Sequence, residues 1–370
     1  MKLECVREKL QITIGLAEKV TGKNLSLPIL GSIILEATNR ALMIKATNLE
    51  LGIEINLPCR IFKNGLVAVP GAVLFNFLSS IPEEIVSLEV VSGNLLVSSP
   101  QHTTIIKGYP TNDFPSLPKI NENKQSFTIS ADYLSTALRG VAYSASSSLT
   151  KPEIASVCLY GHSGELAVVA TDSFRLAEKI FPPALKINLG LPHLIIPIKN
   201  VSEIIRVLET TSTDITVEYN QHQLSFQVGD IYLTSRLIDG VYPDYRQIIP
   251  TSKLTEVVML KNRLLETLKL LNIFVDRSGQ IVITVLPSDK KIKFTASNDH
   301  GENTSQLEAE IEGESITLAL NVKYLLDCFQ SITTDSIRIK LNGPHKPVVI
   351  QGVGGPSFTY LIMPINRWVT

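Results

Sequence analysis

Apolar runs broken by short polar turns mark out three strands along the chain. Leu42-Met43-Ile44-Lys45, Leu166-Ala167-Val168-Val169 and Ile292-Lys293-Phe294-Thr295 read as strands. Each run closes on a related tripeptide: Ala46-Thr47-Asn48, Ala170-Thr171-Asp172 and Ala296-Ser297-Asn298. Between the strands lie apolar stripes at helical spacing, two in each third of the chain. The first pair is Val6, Leu10, Ile14 and Ala17, then Leu74, Leu78 and Ile81. The second is Leu134, Leu138 and Val141, then Val201, Ile204, Ile205 and Leu208. The third is Leu260, Leu264, Leu268 and Leu271, then Leu325, Cys328, Phe329 and Ile332. Ser130 and Asn321 read as helix N-caps, and Asn200 with Glu203 as a capping box.

The tripeptides recur about every 125 residues, which makes the repeat as large as a domain. A second marker keeps the same phase. Val69-Pro70, Ile196-Pro197 and Leu320-Asn321 each stand just before the second helical stripe of their third. The unit is helix, strands, helix, strands, with sheets that bury one face against helices. The predicted fold is therefore α+β, three tandem copies, with domains at 1–124, 125–252 and 253–370. Polar, proline-bearing stretches near Lys124 and Ser252 set these bounds.

Composition narrows the class. The chain has 370 residues, 44% hydrophobic, and a formal net charge of −1. That balance excludes a strongly basic protein that coats nucleic acid, while leaving room for a local basic lining. Cys5, Cys59, Cys158 and Cys328 are scattered singly, without the paired spacing of a zinc or redox motif. A charged start, Met1-Lys2-Leu3-Glu4-Cys5-Val6-Arg7, argues against a secretion signal, and no apolar run is long enough to span a bilayer. Reduced thiols and a cytoplasmic location are expected.

Catalytic chemistry finds little support. The six histidines lack a partner at helical metal-pair spacing. Thr171-Asp172-Ser173 offers a hydroxyl and an acid but no base to activate the serine, so it reads as a tight turn. Gly352-Val353-Gly354-Gly355 precedes the strand-like Phe358-Thr359-Tyr360-Leu361-Ile362, not a helix, and so reads as a hairpin and not a phosphate cradle. Neither cofactor nor metal is expected, and the chain reads as non-enzymatic.

Four segments, in order and in phase with the repeat, resemble one family. They are Leu25-Ser26-Leu27-Pro28-Ile29-Leu30-Gly31, Ala170-Thr171-Asp172-Ser173-Phe174-Arg175-Leu176-Ala177, Asp239-Gly240-Val241-Tyr242-Pro243-Asp244-Tyr245 and Tyr360-Leu361-Ile362-Met363-Pro364. They are similar to the bacterial sliding clamps, the β subunits of DNA polymerase III, over essentially the whole chain. The resemblance implies a head-to-tail homodimeric ring around double-stranded DNA, helices lining the hole and antiparallel sheets outside. It implies partners that include the polymerase catalytic subunit, the clamp loader and other proteins carrying a clamp-binding peptide. Base readout would hinder sliding, so contacts should go to phosphates.

By the same resemblance, a peptide pocket is lined by Ile154, Thr171, Leu176, Pro243, Gln247, Ile248, Leu361, Ile362, Met363, Pro364 and Ile365. The family commonly carries a basic residue where Gln247 stands, and the chain runs on past Pro364 to Trp368 and Thr370. DNA contact is implied for Lys23, Asn24, Lys151 and Lys199. Arg7, Lys19, Arg139, Arg206, Lys261, Arg263 and Lys269 stand on the helical stripes alongside Glu8, Glu18, Asp132, Glu203, Glu209, Glu266 and Asp327, which predicts a mildly basic lining. Ring closure is implied between the strand at Thr104, Ile105 and Ile106 and the partner's segment at Ile273 and Phe274. Two other readings stand beside this one: a peptide-binding scaffold that does not encircle DNA, and an enzyme with its site at a domain interface.

Overall fold

The computed structural model describes residues 1–22, 27–39, 41–120, 124–162, 164–181, 190–355 and 358–365. Among them are six α-helices, two in each repeat: α1 Arg7–Val20, α2 Gly71–Ser80, α3 Ala131–Ala142, α4 Ile198–Leu208, α5 Lys261–Leu271 and α6 Val322–Cys328. The predicted stripes are the buried faces of these helices. Leu10, Ile14 and Ala17 of α1, Leu264 and Leu268 of α5, and Leu325 and Cys328 of α6 are all buried. The stripes overreach at their starts, because Val6 and Leu260 lie exposed at N-cap positions. The second marker falls where it should. Pro70 and Asn321 cap α2 and α6, and the Asn321 side chain accepts from the amides of Lys323 and Tyr324. Helix α3 begins directly after Ser130.

Asn200 does not cap its helix. Helix α4 already starts at Ile198, which puts Asn200 inside it. The side chain is buried, and its amide donates to Ser235 Oγ at 2.9 Å and to the Glu50 carbonyl at 3.4 Å. Tertiary partners claimed the polar group that local spacing had assigned to the helix end.

Among the described residues the strands pair antiparallel into four sheets, and the chain divides into two compact units that do not follow the repeats. One unit comprises 1–135 and 199–239, the other 136–198 and 240–370. Each unit holds one long sheet that runs from one repeat into the next. In the first unit this sheet has eight strands, joined where Leu51–Leu57 pairs with Ile231–Arg236. In the second it has nine, joined where Arg175–Phe181 pairs with Phe358–Ile362. The remaining sheets are shorter: five strands ending on Thr103–Ile106 in the first unit, four ending on Gly301–Glu308 in the second. In the first unit α1 packs on α2 and across Leu42–Thr47 and Leu51–Leu57; in the second, α5 packs on α6 and against Gly301–Glu308.

The recurring tripeptide is a turn built twice to one design. Thr47 Oγ1 donates to the Leu51 carbonyl at 2.8 Å, and Asn48 Oδ1 accepts from the amides of Glu50 and Leu51 at 3.0 and 2.7 Å. Thr171 Oγ1 donates to the Arg175 carbonyl at 2.7 Å, and Asp172 Oδ1 accepts from the amides of Phe174 and Arg175, both at 2.9 Å. Both turns put a non-glycine residue in the left-handed region, Leu49 at φ 77° and Ser173 at φ 78°. The side-chain oxygen satisfies amides that the turned backbone leaves free, which is why Asn and Asp occupy that place. Thr171-Asp172-Ser173 is thus the turn expected of it. The glycine-rich run closes a hairpin between Val348–Gly352 and Phe358–Ile362, again as expected.

The buried amide of Asn200 gives a test of the first joint. Asn200→Ala removes the donor to Ser235 Oγ, which keeps only its bond to the Arg236 carbonyl, and should cost about 0.5–1.5 kcal/mol, read as a lower denaturation midpoint in urea. An unchanged midpoint would contradict its role.

Candidate functional site

The pocket residues named from the sequence all fall within the second unit. Strand Arg175–Phe181 sets Leu176 opposite Leu361 and Arg175 opposite Ile362, and the Met363 amide donates to the Phe174 carbonyl at 2.8 Å. Ile154, Thr171, Leu176, Leu361, Ile362 and Pro364 are buried. Pro243, Gln247, Ile248 and Met363 are exposed, and Ile365 is intermediate. Two apolar side chains outside the expected set stand out beside them: Phe174 at 62% and Val241 at 86% exposure. The exposed members, with Phe174 and Val241, leave apolar side chains at the surface of this unit.

The turn at Thr171–Arg175 is braced by Arg175. Its guanidinium bonds Asp172 Oδ2 at 3.0 Å, Asp327 Oδ2 of α6 at 2.5 Å and the Tyr143 carbonyl at 2.6 Å, and it lies over the Tyr324 ring at 4.5 Å. A planar fork bonded on every side holds the adjacent Leu176 in place.

The rim segment is braced by a closed ring of hydrogen bonds. It runs through the short helical turn Tyr245–Ile248. Arg246 Nε donates to the Tyr160 hydroxyl at 2.9 Å, Tyr160 and Tyr245 meet at 2.5 Å between hydroxyls, and Tyr245 donates to Glu178 Oε1. Arg246 Nη2 closes the ring onto the same carboxylate oxygen at 3.1 Å. Glu178 is buried. Burial and the neighbouring Glu178 charge push the Tyr245 hydroxyl well above its usual range, so it stays protonated and donates. Tyr245 and Arg246 therefore point in while Gln247 and Ile248 point out. The Gln247 amide donates to Asp244 Oδ2 at 2.6 Å on the outer side. Sequence reading missed Tyr160, Glu178 and Arg246, since nothing local to strands Ser156–His162 and Arg175–Phe181 announces a polar contact across the fold.

The expected DNA and closure residues divide. Lys151 is exposed in the turn before Ile154, and Lys199 is exposed in the first turn of α4. Lys23, Asn24 and Trp368 lie outside the described residues. Several helix cations are engaged within the fold: Arg7 with Gln11 and the Glu83 carbonyl, Lys19 with Glu18, Arg206 with Glu203, and Lys261 with the Ile332 carbonyl. In the edge strand Thr103–Ile106, Ile105 is exposed at 67% while Ile106 is buried. Ile273 is exposed at 66%, and Phe274 lies against Gly301, whose Cβ would stand 3.4 Å from its ring. The Asn298 amide ties that segment to the hairpin through the carbonyls of Ile273 and Val275, at 3.3 and 3.4 Å.

Fold and site together define a class: triplicated α+β units fused through common antiparallel sheets. Comparison with known proteins carries this to a family. Family profiles for the N-terminal, central and C-terminal domains of the DNA polymerase III beta subunit match residues 1–118, 128–244 and 246–366. A beta sliding clamp of Synechococcus elongatus is 29% identical over 375 residues, covering 99% of each chain. One of Staphylococcus aureus is 24% identical over 362 residues, covering 95% of each. The crystal structure of the DNA polymerase III beta subunit of Thermotoga maritima aligns with a TM-score of 0.93 at 25% identity, covering 99% of this chain and all of that one. That of Pseudomonas aeruginosa shares the fold at a TM-score of 0.93 and 23% identity, over 99% of this chain and 100% of that one. The chain belongs to the DNA polymerase III beta subunit family, the bacterial sliding clamps.

The thiols behave as packing groups in this fold. Burial pushes the Cys5 thiol up to about 12 and raises Cys158 and Cys328 further, whereas Cys59 is only half-buried. Iodoacetamide should therefore label Cys59 first in the native protein, read by peptide mass mapping; equal early labelling of all four would contradict this packing.

Proposed function

We propose that this chain is a non-catalytic clamp that closes head-to-tail with a second copy around duplex DNA. It would work in the cytoplasm and tether the polymerase III catalytic subunit, the clamp loader and other partners through the apolar surface at Leu176, Ile248 and Met363. The domains are read as 1–124, 125–252 and 253–370. Lys151 and Lys199, with Lys23 and Asn24, are assigned to the DNA side.

One observation carries this reading: each joint between successive repeats is made by equivalent strands, and one pair of equivalents has no partner within its sheets. The strand after each Asx turn, Leu51–Leu57 or Arg175–Phe181, pairs with the last strand of the next repeat. Both joints repeat one detail, an amide donating at 2.8 Å to the carbonyl two residues past the Asn or Asp: Arg236 to Glu50, and Met363 to Phe174. In the third repeat the corresponding strand is Gly301–Glu308, an open edge. In the first repeat the corresponding last strand is Thr103–Ile106, also an open edge. Ile106, buried like Ser235 and Ile362 at the equivalent strand ends, would then face Gly301 of the second copy. Two unpaired edges of this kind invite strand addition, and a symmetric pair of chains satisfies both at once. Ile273 flanks the Gly301 hairpin, which supports its assignment to the joint.

A ring holds DNA by topology, since escape requires breaking a joint, and a tethered polymerase sees the template at high effective concentration. The exposed helix positions support a loose electrostatic fit. Lys9, Lys19, Arg139, Lys199, Arg206, Arg263, Lys269 and Lys323 outnumber the exposed Glu8, Asp132 and Glu266, yet some are paired. That thin excess is also what favours the second reading, a peptide-binding scaffold that leaves DNA alone.

Two measurements test the proposal. Ile273→Asp or Phe274→Asp should convert dimers to monomers in analytical ultracentrifugation, and unchanged dimers would contradict the joint. Loaded protein should stay on circular DNA and leave once the circle is linearised, whereas equal loss from both forms would favour the scaffold. Binding to short linear duplexes should weaken only shallowly with salt, because few counterions are released.

A further inference from the structure

Charge at the apolar surface is distributed unevenly between its inside and its outside. Both arginines that border it turn inward. Arg175 is bonded to Asp172 and Asp327, and Arg246 to the buried carboxylate of Glu178. Both guanidinium charges are matched by carboxylates within the fold. On the outer side, the exposed turn carries the Asp244 carboxylate, and its hydrogen-bond partner is the uncharged amide of Gln247. Among the described residues Asp244 makes no ion pair. An amide donor orients a carboxylate without cancelling its charge. The turn beside Pro243 and Ile248 therefore carries an unpaired negative charge, and the same unit exposes apolar side chains at Phe174, Ile248 and Met363. Lys151, three residues before Ile154, belongs to the separate turn that leads into it.

We propose that this surface selects peptides that carry a lysine or arginine beside their apolar anchors, with Asp244 as the specificity-determining residue. The inference rests on the reading of this surface as a peptide pocket and adds the charge of the guest. The apolar side chains supply affinity, while the rim carboxylate discriminates between guests of opposite sign. An exposed ion pair is weak, so the preference should be about two- to fivefold and should fade with salt.

The test uses the full chain and a randomised octapeptide library displayed on phage. Met363→Asp serves as the counter-selection, because it places a charge in the apolar rim without touching Asp244. Peptides retained by the unmodified chain but not by Met363→Asp should be rich in apolar residues. Within that pool, lysine and arginine should exceed aspartate and glutamate about two- to fivefold at low salt. Asp244→Asn, which keeps the shape and the Gln247 bond, should bring the ratio close to one, and Gln247→Arg should bring it to one or below. A Met363-dependent pool with no basic excess, or an excess that survives Asp244→Asn, overturns the specificity while leaving the pocket intact. A pool that does not depend on Met363, or a dimer lost in Met363→Asp, assigns the surface to another occupant and overturns pocket and specificity together.

Discussion

An edge strand is an unfinished structure: its outward amides and carbonyls need partners, and this protein places such an edge at the end of every repeat. Within the chain, two of these edges are completed by the next repeat. Leu51–Leu57 is completed by Ile231–Arg236, and Arg175–Phe181 by Phe358–Ile362. The polar bonds that lock the joints follow from this. Asn200 reaches Ser235 and Glu50 at the first joint, and Arg175 gathers Asp172, Asp327 and Tyr143 at the second. Because the sheets cross the repeat boundaries, compact units and repeats need not coincide, and they do not.

The apolar surface depends on the same constraint. Leu176 and Leu361 face each other only because the second joint pairs their strands in that register, and a slip of one residue would send both to the opposite face. Met363 is placed by the amide that closes the joint. The rim then needs its own support, since a loop carrying Pro243, Gln247 and Ile248 has no sheet to hold it. The ring of Arg246, Tyr160, Tyr245 and Glu178 supplies that support, with each hydrogen bond polarising the next. One side of the turn is spent on anchoring, and the other, with Gln247 and Ile248, stays exposed.

Local chemistry was legible in the chain by itself. The helical stripes, the beat of Ala-Thr-Asn/Asp turns and the α+β class could all be read from it. These rest on the period of apolar positions and on an Asn or Asp oxygen within reach of amides two and three residues on, and neither needs a distant partner. Asn321 capped α6 as its position suggested, while Asn200, with equally good spacing, did not cap α4. The difference is that Asn200 has Ser235 and Glu50 beside it, and a buried amide follows its best-paired geometry wherever the partner comes from.

Tertiary structure alone decided the rest. Which edges are completed within the chain and which stay open depends on pairings between strands as far apart as Leu51–Leu57 and Ile231–Arg236, and no short-range pattern encodes them. That Ile105 faces out while Ile106 faces in, and that Arg246 is spent on Glu178 while Asp244 is left to solvent, follows from the same long-range register. Sequence determined what each segment could form, because backbone and neighbouring side chains compete over a few residues. The fold determined what each side chain meets, because burial and charge pairing are settled only when distant strands come together.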